Sequence, residues 1–166
     1  MFELKPISKK SIPGVLEKAE RYRLLNEPLE AESICLDVLE IDDDNQEALV
    51  TLLLALTDQF GRKLTEKFRQ AREILPKLED DYTRAYYDGI ICERRAKVSL
   101  QQGGPGSGNL AYDWFRQAMD RYEEAAEHKP KGNEDATLRW NTCARILNRN
   151  PHVIPLVEEQ VQDMLE

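Results

Sequence analysis

Residues 118–130 read Ala-Met-Asp-Arg-Tyr-Glu-Glu-Ala-Ala-Glu-His-Lys-Pro. Ala118, Tyr122 and Ala125 lie four and then three residues apart, which puts them on one face of a helix. Pro130 follows five residues after Ala125 and cannot continue a helix, because it lacks the N–H and clashes with the preceding turn. The same spacing occurs earlier as Ala31, Cys35, Val38 and as Leu64, Phe68, Ala71, with Asp43 and Pro76 at the five-residue offset. One motif in three copies predicts a chain of helices that pack through small side chains.

Working outward, breakers cut the rest into helical lengths. Pro13-Gly14 opens a segment whose Val15, Ala19 and Tyr22, flanked by Leu16 and Leu25, recur at helical steps until Asn26-Glu27-Pro28. Pro28 suits the first turn of the next helix, which carries Leu29, Ile34, Cys35, Val38, Leu39 and Ile41 up to Asp42-Asp43-Asp44-Asn45. Residues 46–60 are apolar on nearly every side, as in a helix between neighbours. Gly61 and Pro76 bound another helix, and Asp80-Asp81 favours the start of a long one through Leu100. Residues 101–109 hold four of the eight glycines and read as a flexible surface loop. No strand precedes it and no Lys-Ser or Lys-Thr follows, so it is not a phosphate cradle. Helices are predicted over Leu110–His128, Asp135–Leu147 and Pro155–Leu165, and no stretch alternates like a strand. The expected fold is all-α.

Ala19 with Tyr22 marks the first helix of the first pair, and Leu53 with Leu56, Gly89 with Cys92 and Ala144 with Leu147 fall at matching places. Ala19 to Leu53 is 34 residues, Leu53 to Gly89 is 36, and Gly89 to Ala144 is 55. Together with Trp140 and the terminal prolines, this period resembles the tetratricopeptide repeat family over residues 12–150. The resemblance implies a single repeat domain spanning residues 1–166: a superhelix of antiparallel pairs over 12–45, 46–78 and 79–132, then capping helices over 133–166. The third repeat would be expanded around the glycine-rich loop. Leu53 departs from the pattern, because adjacent helices approach closely only where the intervening side chain is small.

Hydrophobic residues make up 41% of the 166 and charged residues 33%, with a mean hydropathy of -0.61. The longest apolar stretch, Ala48–Leu56, is interrupted by Thr51 and is too short to cross a bilayer. The N-terminus lacks the apolar region of a signal peptide, so the cytoplasm is the expected compartment. A formal net charge of -8 opposes binding to nucleic acid or anionic membrane. That charge is uneven. Residues 1–60 carry 6 basic and 13 acidic side chains, residues 61–109 carry 10 and 7, and residues 110–166 carry 7 and 11.

Cys35, Cys92 and Cys143 form no CxxC pair, and the only histidines, His128 and His152, are 24 apart. Neither a disulfide framework nor a zinc site is expected, and the cysteines read as small buried hydrophobes. Asp42–Glu47 lacks the glycine and the distal glutamate of a calcium loop and reads as a turn capping the next helix. No catalytic motif, metal or cofactor is expected.

In the family resembled, the first helices of successive pairs line a groove for an extended peptide or a helix. Counting round each helix from its small residue gives Leu16, Glu20 and Leu24, then Val50, Leu54 and Asp58, then Tyr86, Tyr87, Ile90 and Arg94. The capping helix adds Asn141, Arg145 and Arg149. The middle is apolar and one end is basic; exposed apolar side chains in a concavity mark a binding surface, unless the protein's own helices fill it. The carboxylate clamp of some tetratricopeptide co-chaperones is not matched, since Leu16, Glu20, Val50 and Leu54 occupy its places. The expected function is a protein-binding adaptor for an apolar or amphipathic segment. A structural subunit associating as a homodimer is the main alternative, and a small secretion-type chaperone a further one.

Overall fold

The computed structural model describes residues 1–157, which hold seven α-helices and no strand among the described residues. The chain clusters into two compact units, Met1–Asp80 and Asp81–Glu166.

The first unit contains α1 (Ile12–Leu24), α2 (Pro28–Ile41), α3 (Gln46–Thr57) and α4 (Leu64–Ile74). Local chemistry sets their ends. Pro13 and Pro28 lie in the first turns of α1 and α2. Asn26 takes the left-handed conformation, φ 60°, between them. Asn45 caps α3 by accepting the Ala48 amide at 2.9 Å, and donates to Asp42, which is the capping turn the acidic run predicts. Each helix packs on the next, and α1 also meets α3. Ile12, Leu16, Val38 and Ala48 form a core cluster, with Ile7, Val15, Leu39 and Ile41 against it. The small-residue register follows this burial: Ala19, Ala31, Cys35, Val38, Leu53 and Ala71 are all fully buried. Cross-helix ion pairs also tie the unit together. Arg23 on α1 meets Asp58, just beyond α3, at 2.8 Å. Lys67 on α4 is buried and holds both Glu32 oxygens at 3.0 Å, while Gln59 donates to the same carboxylate.

The second unit contains α5 (Asp81–Gln102), α6 (Ser107–Glu127) and α7 (Asp135–Arg149). The glycine-rich segment departs from the loop expected over 101–109. Helix α5 runs two residues past Leu100 and α6 starts at Ser107, leaving Gly103–Gly106 as a tight connection. Gly103, Gly104 and Gly106 all have positive φ, a conformation in which a Cβ is strained; the glycines make a sharp reversal rather than a tether. Gly108 lies inside α6, where a Cβ would stand 2.5 Å from the His152 carbonyl oxygen. Ala118, Tyr122 and Ala125 are buried along α6, whereas Ala144 on α7 is only half-buried. The last predicted helix does not begin at Pro155, since residues 153–157 are not helical, and its remainder lies outside the described residues.

All three cysteines are free and buried. Burial pushes the Cys35 and Cys143 thiols up to about 12, with neighbouring carboxylates adding to the effect. A thiol reagent at about pH 8 should therefore label none of the three until the chain is unfolded. The sign follows from linkage. The unfolded thiols ionise first, so this contribution to stability is complete below pH 9 and declines as pH rises towards 12. A melt series on the alkaline side checks it, and rapid native-state labelling would show the burial to be wrong.

Candidate functional site

The groove residues expected from the sequence divide between the two units. In the first unit, Val50 and Leu54 lie half-buried on α3, one turn apart, and the stripe ends at the Arg23–Asp58 ion pair. Leu16 requires a correction. It is 2% exposed, on the same α1 face as Ile12 and Ala19, and belongs to the core with Val38 and Ala48. Leu24 is the opposite case, 81% exposed at the end of α1, with Leu25 and Leu29 also exposed across the turn to α2. Glu20 is exposed.

In the second unit, Ile90 is the other correction. Gly89, Ile90, Ile91, Cys92 and Glu93 are all buried, so α5 is covered on every side at this level and Ile90 offers nothing to a partner. Tyr86 and Tyr87 lie one turn earlier and are half-buried. Tyr86 stacks on Tyr82 with ring centres 5.7 Å apart, and Tyr87 meets Tyr86 edge-on at 5.1 Å. Tyr122 of α6 closes on the same ring at 5.9 Å. Asn141 on α7 is half-buried, while Arg145 and Arg149 are exposed and make no ion pair among the described residues. Arg94 on α5 is half-buried.

The strongest electrostatic feature is absent from the sequence reading. Glu93 is 1% exposed and joins three helices. It accepts the Tyr122 hydroxyl at 2.6 Å, the Arg139 guanidinium of α7 at 3.2 Å and the Lys97 ammonium one turn along α5 at 2.5 Å. Burial, then the Glu93 charge, pushes the Tyr122 phenol far above its ordinary range, so it remains a donor. Burial opposes the charge on Arg139, but Glu93 and Tyr86 outweigh it and hold the guanidinium above its usual value. The sequence signal is a lone carboxylate inside Gly89–Ala96, three residues before a small buried alanine. Its meaning needs partners 29 and 46 residues away.

The chain matches no family model, and comparison with curated proteins and with solved structures finds no match.

The tyrosine cluster has a chemistry of its own. It presents half-buried aromatic rings on α5, next to the Arg139 guanidinium already committed to Glu93. Among the described residues no group of three His, Cys, Asp or Glu could hold a metal ion. No described helix is long and apolar enough to cross a membrane.

Proposed function

We propose that this chain is a protein-binding adaptor of tetratricopeptide-like helix pairs, acting in the cytoplasm, that takes an apolar or amphipathic peptide or helix of another protein. The observation that carries the reading is the half-buried cluster of Tyr82, Tyr86 and Tyr87 on α5. Tyrosine lends large, rigid contact area at low entropic cost, and interfaces are enriched in it. The buried small residues at Ala19, Ala31, Ala71, Gly89, Ala118 and Ala125 support the helix-pair architecture. Val50 and Leu54 on α3 supply a second apolar stripe for the same kind of segment.

A photo-crosslinking residue in place of Tyr87 tests this in the native cells. The expected result is a discrete adduct with another protein, absent when the same residue replaces exposed Gln117 on α6. Adducts that are equal at the two positions would overturn the reading. A second reading, a self-associating structural subunit, is favoured by exposed Leu24, Leu25 and Leu29. A dimer stable to dilution in light scattering, with Tyr87 adducts only to the chain itself, would put that reading first.

A further inference from the structure

A second surface, on the first unit, has its own chemistry and does not depend on the tyrosine cluster. An apolar cavity of about 510 Å³ lies between residues 4–7 and the C-terminal half of α2. Leu39, Ile41 and Ile7 line it and rest on the core cluster beneath. Leu36, 51% exposed, also lines it, beside Asp37 and Glu40.

The charge around this cavity is one-sided. Residues 27–47 contain nine carboxylates and no lysine or arginine. Among the described residues Glu32 is ion-paired, to Lys67, whereas Asp37, Glu40 and the run Asp42–Asp44 meet no described cation. Helix α2 has no basic residue in its last turn, although carboxylates there oppose the helix dipole and cost stability. Asp42 assists the α3 cap through Asn45, but capping leaves Asp37, Glu40, Asp43 and Asp44 unexplained. Among the described residues Lys5 is the one cation lining the cavity, and it meets no described carboxylate.

We infer that this cavity is a docking site for a cationic, apolar segment of a partner protein, whose bulky side chains enter between Leu36 and Ile41 while its lysines or arginines meet Asp37, Glu40 and the α2 C-terminus. Apolar contact supplies the affinity, and the charge supplies orientation and rate of encounter. Polyanions and anionic membranes are repelled by the same carboxylates.

The test is fluorescence anisotropy on the full chain with a short labelled peptide of lysine pairs alternating with leucine and phenylalanine. A peptide with serine in place of the apolar residues keeps the same charge as comparator. The leucine-containing peptide should bind at least about tenfold more tightly, and Asp37→Asn with Glu40→Gln should weaken it by a similar factor. Leu36→Ser should do likewise. Asp113→Asn with Glu127→Gln, which removes equal charge from exposed positions on α6, should leave binding nearly unchanged. Equal affinity for the two peptides, or equal effects of the two charge-neutralised variants, would overturn the site in favour of diffuse attraction. Absence of binding would overturn it outright. A concentration-dependent dimer in sedimentation that Leu36→Ser abolishes would assign the cavity to a second copy instead.

Discussion

Glu93→Ala is expected to lower the stability of the protein by about 3 kcal/mol. For a chain of this size that corresponds to roughly 6–12 °C in Tm. The argument rests on what the truncation leaves behind. The Tyr122 side chain is 1% exposed and its hydroxyl has Glu93 as partner; without that acceptor it bears the full cost of a buried, unpaired donor. Arg139 and Lys97 have side chains 36% and 37% exposed, so both turn towards water and contribute less than fully buried cations would. Glu93→Gln keeps an acceptor for Tyr122 and should cost less than Glu93→Ala. Adding Tyr122→Phe to Glu93→Ala removes the orphaned hydroxyl and should cost little further, which gives a coupling of about 1–2 kcal/mol in a double-mutant cycle. Additive effects in chemical denaturation would mean that the three-helix network stabilises nothing.

Gly89→Leu should be comparably damaging, at about 3 kcal/mol. A Cβ at Gly89 would lie 2.5 Å from Cε1 and 2.7 Å from Cδ1 of Tyr122. That ring cannot yield cheaply, because its hydroxyl is tied to Glu93 and it packs against the Tyr86 ring with centres 5.9 Å apart. Even Gly89→Ala should destabilise, despite a gain in helix propensity of about 1 kcal/mol. Gly14 in α1 is the internal control: a Cβ there meets nothing within 4 Å, so Gly14→Ala should be neutral or stabilising by up to about 1 kcal/mol. If thermal melts give the two alanine variants the same sign, the close approach of α5 to Tyr122 is wrong. Ala118→Leu and Ala125→Leu, both at fully buried positions of α6, should follow Gly89→Leu.

Much of the local structure is legible in the sequence, and for local reasons. Pro28 starts α2, Asn45 caps α3 and Asp135 opens α7. These signals act within a turn of backbone and need no distant partner. The motif Ala118, Tyr122, Ala125 likewise falls on a buried face, since helical spacing alone puts its members together. The glycine run is less legible. Its composition fits a flexible tether, whereas three positive-φ glycines between α5 and α6 form a short reversal, and only the antiparallel packing of those helices requires it.

The sequence by itself determined the all-helical class, most helix limits and the faces on which small residues lie. Each of these follows from periodicity, caps and breakers over a few residues. The tertiary structure alone decided which apolar positions are open. Leu16 and Leu24 sit two turns apart on α1, yet one is core and the other 81% exposed, because neighbouring helices cover only the first. Ile90 is closed and Tyr87 is half-open on the same helix for the same kind of reason. It also decided that Glu93 is a buried hub and that the carboxylates of α2 border an apolar cavity. Burial and pairing depend on side chains brought from far along the chain, and no short-range pattern encodes how those helices cover one another.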